Sequence, residues 1–183
     1  MYSYHWIDDP AGLPADITDM VVAVSRSDPF VGLPPDPTAE QSGELAERLA
    51  SALGSGRGHL LAIRSPSGAA AGCVVLTVAA TPNQAHIAEL TVGAIHPEHR
   101  GQSIVGDAFA EIARRSEKLG VELLRLDVRE GIPAEKVWRW YGFAEYGRLP
   151  DYGRAAGKSY TGVYLAQTVR DLSARVTRDN MEA

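Results

Sequence analysis

Apolar positions along the chain alternate between two periods, and the points where the period changes mark its elements. The opening MYSYHWI alternates aromatic and polar side chains and predicts a short first strand. From Leu13 the period lengthens. Ile17, Met20, Val21 and Val24 recur at the 3,4 spacing of one helical face, with Pro14 suited to a first turn. Four prolines, Pro29, Pro34, Pro35 and Pro37, then make a rigid, irregular connector. Leu45, Leu49 and Leu53 stack at i, i+4 and i+8 and predict a second helix. Thr38 followed by Gln41 has the spacing of a capping box at its start, and Gly54, Gly56 and Gly58 end it.

Three short apolar runs follow, HLLAIRS from His59, AAAGCVVLTVAA from Ala69 and AHIAELTVGAIHP from Ala85. The turn residues PSG and TPNQ separate them, and together they predict an antiparallel meander. Ile104, Val105, Ala108, Phe109, Ile112 and Ala113 then form the stripe of a helix running to about Leu119, with Gly120 at its C′ position. VELLRLDV from Val121 is nearly continuous in apolar residues, which suits a strand covered on both faces. PAEKVWRWY predicts a short helix with Pro133 in its first turn. FAEYGRL predicts a strand, PDYGRAAGKS a polar loop and YTGVYLAQTV a last strand. The charged segment from Arg170 reads as a frayed or weakly helical tail. The order predicts an α+β fold, with a mostly antiparallel sheet and helices on both faces. One domain over residues 1–169 and a tail over 170–183 is the expected organisation.

Composition narrows the class. Apolar residues make up 45 % of 183 residues, enough for one packed core. The net charge of −5, without a basic run, argues against nucleic acid or an anionic membrane as the main partner. The single cysteine, Cys73, lies in an apolar run and reads as a small core residue. The N-terminus has no basic segment followed by an apolar one, and no stretch reaches the ~20 apolar residues of a spanning helix, so a cytoplasmic location is expected. His96 and His99 flank a proline without a third ligand at a suitable spacing, and no metal site is expected.

The most informative stretch is HPEHRGQSIVGDAF, residues 96–109, where a strand passes through a short loop into a helix. The first N–H groups of a helix lack internal partners and carry the positive end of its dipole, so a loop of small residues there suits an anion. By itself the loop is equally compatible with an ordinary helix start. AELTVGAIHPEHRGQSIV resembles the core segment of the GCN5-related N-acetyltransferases, the GNAT family. In that family the loop has the form Arg/Gln-x-x-Gly-x-Gly/Ala and binds the pyrophosphate of acetyl-CoA. Arg100 and the Arg-Gly pair match. Ser103 stands where the first motif glycine belongs, and Val105 where Gly or Ala belongs. The stretch LDVREGIPAEKVWRWYGFAEYGRLPDYG resembles the family's later motif through Ala134, Gly142 and Phe143, with Gly131 at its asparagine position and Trp138 at its tyrosine position. The ending looks most like the branch with tabtoxin-resistance-type acetyltransferases.

The resemblance implies a twisted sheet splayed between its fourth and fifth strands, and acetyl-CoA as co-substrate. It implies cofactor contacts from Ala94, Ile95, Arg100, Gly101, Gln102, Ser103, Ile104, Val105, Gly131 and Trp138. Gly93 is compatible with the bulge that bends the fourth strand. Transfer to an amine requires a base for its proton. Glu89 aligns with the family's base and shares a strand face with Thr91 and Gly93. Asp127 is a second candidate, being ionisable in an apolar strand. For the acid, Trp138 cannot serve, which leaves Tyr141 one turn on, with Tyr152 and Tyr164 as alternatives. Trp138, Trp140 and Tyr141 would form an aromatic wall beside the acyl group, in part core packing. Glu89, Asp127, Glu130 and Asp151 fit a cationic amine. The expected activity is N-acetylation of a small-molecule amine, an amino-acid-like metabolite or antibiotic, by direct transfer in a ternary complex. The expectation allows a homodimer. Two alternatives stay open: a GNAT fold that binds acyl-CoA or a metabolite without catalysis, and a protein or peptide N-acetyltransferase.

Overall fold

A computed structural model of the chain describes residues 1–28, 33–155 and 157–182, with side chains to residue 178. Among the described residues seven strands form one sheet: β1 (Ser3–Ile7), β2 (Gly58–Arg64), β3 (Ala70–Val78), β4 (Ile87–Ile95), β5 (Leu123–Arg129), β6 (Ala144–Ala155) and β7 (Lys158–Thr168). Among the described residues five α-helices accompany them: α1 (Ala15–Ser25), α2 (Ala39–Gly54), α3 (Ile104–Lys118), α4 (Pro133–Trp140) and α5 (Val169–Glu182). The strand order is β1-β2-β3-β4-β5-β7-β6. The β4–β5 pair is parallel, with Ile87, Ala88 and Glu89 opposite Leu123, Leu124 and Arg125, whereas β1–β2, β2–β3, β5–β7 and β6–β7 are antiparallel. The fold is α+β, as the order of elements implies.

The chain forms two compact units, residues 1–77 with 90–108 and residues 78–89 with 109–183. In the first, the α1 stripe Ile17, Met20, Val21 and Val24 and the α2 stripe Leu45, Leu49 and Leu53 are all buried. They share a core with Leu60 and Ala62 of β2, Cys73 and Val75 of β3 and Ala94 of β4. Each such aliphatic side chain contributes roughly 1.5–3 kcal/mol by leaving water. Thr38 caps α2 as its sequence implies: its hydroxyl accepts from the Gln41 N–H at 3.2 Å, and the Gln41 side chain accepts from the Thr38 N–H at 2.9 Å. Pro14 sits one residue before α1, at its N-cap, rather than within the first turn. The part of the proline-rich connector over residues 29–32, including Pro29, lies outside the described residues. Gly72 lets β3 and β4 approach closely, since a Cβ there would lie 2.8 Å from the Ala94 carbonyl oxygen.

In the second unit, Phe109, Ile112 and Ala113 of α3 are buried, as are Leu124, Leu126 and Val128 of β5, Val163 and Leu165 of β7, and Phe143. Gly120 follows α3 with φ 70°, the left-handed cap expected of it. Two expectations change here. Residues 150–159 were expected to be a polar loop; β6 instead continues to Ala155 and pairs with β7 as far as Ala155 opposite Lys158. An edge strand tolerates a Pro and exposed polar residues, so composition alone reads it as loop. The segment from Arg170 belongs to α5, which buries Leu172 and Val176 and is therefore anchored along one face. Among the described residues, no helix is long and apolar enough to cross a membrane.

Candidate active site

The first unit contains the strand-to-helix connection. β4 is kinked at Val92, whose φ of 51° lies in the left-handed region that β-branched residues avoid. The kink was expected at Gly93; the residue that bends is the one before it. Val92 stays there because its side chain packs against the core of this unit, and its carbonyl faces the Cys73 thiol, with Sγ 3.6 Å away. Such a backbone costs roughly 1–3 kcal/mol and persists only where surrounding packing enforces it.

After β4, Pro97–His99 form one 3-10 turn, and Arg100 stays exposed while its Nε donates to the Ile95 carbonyl at 3.1 Å. Gly101 has φ 74° and open space where a side chain would start. Gly101, Gln102 and Ser103 are exposed, Ile104 is buried, and Val105 is half-buried. α3 then runs for 15 residues, so its first amides stand at the end of a long dipole. Two tyrosines, Tyr2 just before β1 and Tyr4 within it, brace this connection. The Tyr2 phenol donates to Gln102 Oε1 and lies 3.0 Å from His99 Nδ1. The Tyr4 phenol donates to the Ile104 carbonyl at 3.1 Å and to Asp107 Oδ2 at 3.3 Å. Sequence reasoning missed this role, and the only signal is that both tyrosines fall on one face of the first strand.

The second unit presents a polar face. β5 is not covered equally on both sides: Leu124, Leu126 and Val128 are buried, and Leu123, Arg125, Asp127 and Arg129 are half-buried opposite them. Charges at period two give the strand one dry and one polar face. Across the register Glu89 stands opposite Arg125, Asp127 opposite Tyr164, and Arg129 opposite Gly162.

A bulge in β6 completes this face. Between Leu149 opposite Gly162 and Gly153 opposite Tyr160, β6 advances four residues while β7 advances two. Asp151 absorbs the excess with φ 55°. Its carboxylate accepts from Arg154 Nε at 2.8 Å and from Ser159 Oγ at 2.6 Å, first the arginine and then the serine holding it below the usual carboxylate range. Tyr152 lies over Gly162, and its phenol donates to Asp127 Oδ2. Burial, and after it the Asp127 carboxylate, push the Tyr152 phenol above its ordinary range. The Arg129 guanidinium is 4.6 Å from the Tyr160 ring centre. Burial also raises Tyr146, opposed by Arg125 and reinforced by Glu89 and Asp127, so all three charges lie within electrostatic range of that phenol.

Elsewhere the expected residues have other partners. Gly131 has φ 81°, and its N–H donates to Glu135 Oε2 at 2.7 Å. Glu130 is paired with Arg148. Tyr141, 9 % exposed, is stacked on Phe109 with ring centres 4.0 Å apart, and Trp138 meets Phe109 and Phe143 edge-on at 5.0 and 5.1 Å. Tyr141 therefore belongs to an aromatic core and half-buried Trp138 packs at its edge, whereas Trp140 is exposed beneath the Arg175 guanidinium. Cys73 is buried, and burial pushes its thiol up to about 12. His96 and His99 have ring centres 5.8 Å apart, and no group of three or more His, Cys, Asp or Glu able to hold a metal occurs among the described residues.

No family model matches the sequence, and no curated protein matches it either. Solved structures do match. An acetyltransferase of the GNAT family from Streptococcus pneumoniae superposes with a TM-score of 0.72 at 19 % identity, over 92 % of this chain and 99 % of that one. The chain has the GNAT fold. A spermidine N-acetyltransferase from Vibrio cholerae, solved with CoA and spermine, gives a TM-score of 0.70 at 15 % identity over 93 % and 97 % of the two chains. A protein provisionally named a phosphinothricin N-acetyltransferase gives 0.75 at 20 % identity over 92 % and 99 %. Within the GNAT fold, the parallel β4–β5 pair has the place the resemblance assigned to it, and Ile95 leads through the Gly101 loop into α3.

Proposed function

We propose that the protein is an acetyl-CoA-dependent N-acetyltransferase acting on the amine of a small molecule. The observation that carries this reading is the connection from the kinked β4, through exposed Gly101, Gln102 and Ser103, into the first turn of α3. These amides, with the charge of Arg100, fit a diphosphate. Gly101 offers no Cβ to obstruct it, and Val105 is half-buried rather than fully exposed.

Glu89 is the proposed base. It is half-buried and has no hydrogen-bond or ion-pair partner among the described residues, so it is available to accept a proton. The acceptor's ammonium gives its proton to Glu89, and the neutral nitrogen forms the C–N bond to the acyl carbon as the C–S bond breaks. The acylated nitrogen sheds its second proton to solvent and the leaving thiolate takes one from solvent, which leaves an amide and a free thiol; with a thiol pKa of about 8–9 the thiolate needs little assistance. That matters because Tyr141, the expected acid, is stacked in the core. Asp127, held by Tyr152, is proposed to attract the ammonium.

Calorimetric titration with acetyl-CoA, followed by thiol release over an amine panel, tests the reading. Saturable binding and release with at least one amine are expected, and Glu89→Gln should lower kcat more than KM. Absence of binding refutes the proposal. Binding without release from any amine favours a non-catalytic acyl-CoA protein, a reading to which the packing of Trp138 against Phe109 and Phe143 lends support.

A further inference from the structure

Two opposite charges on the polar face of the second unit stand side by side and do not pair. Arg125 and Glu89 are register partners on β5 and β4. Adjacent strands lie about 4.8 Å apart, well within reach of both side chains. Yet neither forms an ion pair or hydrogen bond with any described residue, and the Arg125 Nε is buried without an acceptor. An unsatisfied buried donor costs roughly 1–3 kcal/mol, more when charged. The other charges nearby do not relieve it. Asp127, two residues along on the same face, is occupied by Tyr152, and Arg129 is placed over Tyr160. At this register pair a half-buried cation without an anion therefore stands beside a half-buried carboxylate without a cation.

We infer that the acceptor is zwitterionic: its acid group is held by Arg125 and its ammonium by Glu89 and Asp127. This rests on the acyl-transfer reading and narrows it to amino-acid-like acceptors. A planar guanidinium suits a carboxylate, which it binds through two parallel N–H donors. Same-face positions on a strand are about 6.6 Å apart, so Arg125 and Asp127 are within the span of one small bifunctional molecule. A polyamine would satisfy the carboxylates and place another cation against Arg125, which disfavours it.

The test compares free L-amino acids with their primary amides, which keep the amine and lose the acid, and includes spermine. In the native protein kcat/KM for the best acid should exceed that for its amide by about 30-fold, within the range of a charged hydrogen-bonded pair. Arg125→Met should reduce the ratio to below about 3-fold, chiefly through KM on the acid; Arg125→Lys should retain part of it. Equal turnover of acid and amide by the native protein, preference for spermine, or an unchanged ratio in Arg125→Met each overturns the inference. Thermal-shift midpoints with the same acids and amides report on Arg125 without catalysis. A shift with acids alone, abolished in Arg125→Met, upholds the subsite even where no thiol is released, which separates its fate from that of acyl transfer.

Discussion

Gly162 is the point at which the polar face is most sensitive to one methyl group. A Cβ there would lie 2.5, 2.6 and 2.9 Å from Cγ, Cδ2 and Cβ of Tyr152, its three nearest neighbours. Real Cβ atoms do not approach so closely, so in Gly162→Ala the ring must leave its place and its hydrogen bond to Asp127 is lost. Overpacking of this kind costs roughly 1–3 kcal/mol, and a hydrogen bond to a charged group contributes about 1.5–3 kcal/mol, nearer the lower end for a half-buried pair. A loss of about 2–3 kcal/mol is expected. The same substitution in a Tyr152→Gly background meets neither the ring nor the Tyr152 Cβ. Gly162 does not have a left-handed φ, so alanine there should stabilise by about 0.4–1 kcal/mol through the unfolded chain. The effect of one methyl group thus changes sign with the residue at 152. Urea unfolding of the four proteins at pH 7, with a common m-value, measures it. Destabilisation of similar size in both backgrounds would refute the claim that Tyr152 fills the space above Gly162, and with it the assignment of Tyr152 as the residue that positions Asp127.

Val92→Gly should cost less than about 1 kcal/mol in the same assay: release of the left-handed strain returns roughly 1–2 kcal/mol, against similar losses in packing and chain entropy. A cost of 3 kcal/mol or more would mean that the kink is not strained. Cys73 should resist thiol reagents at pH 8 in the native protein and react at once in urea, because burial raises its thiol from 9.0 to about 12. As pH rises from 9 towards 12 the unfolded chain loses this proton and the folded chain keeps it, so stability should fall across that window, and Cys73→Ala should remove that part of the fall.

The helices were legible because their stripes are long: the stripes of α1 and α2 are buried as the spacing implies. β5 was misread although its signal was present. Arg125, Asp127 and Arg129 recur at period two, which is the pattern of a strand with one polar face, but the leucines between them drew attention to apolar content alone. β6 failed for a different reason. Pro150, Asp151 and Gly153 are loop-forming residues, and only pairing with β7, which extends as far as Lys158, makes them a bulged strand.

The candidate site divides along the same line between local and non-local information. The Gly101 loop is a local object, a glycine and a helix start within a few residues, and it can be found by spacing. The kink before it cannot, because local preference places a left-handed backbone at Gly93, and packing against the core holds it at Val92 instead. Tyr152 and Asp127 are 25 residues apart and meet only because β6 gains two residues on β7 between Leu149 and Gly153. Arg125 is hidden for a related reason: in sequence it is one more surface arginine, and its significance comes from Glu89, 36 positions earlier, which stands opposite it and unpaired. A charge that lacks a partner is a property of the whole arrangement, so residues that bind ligands through unmet charge stay hidden in sequence even where the fold is readable.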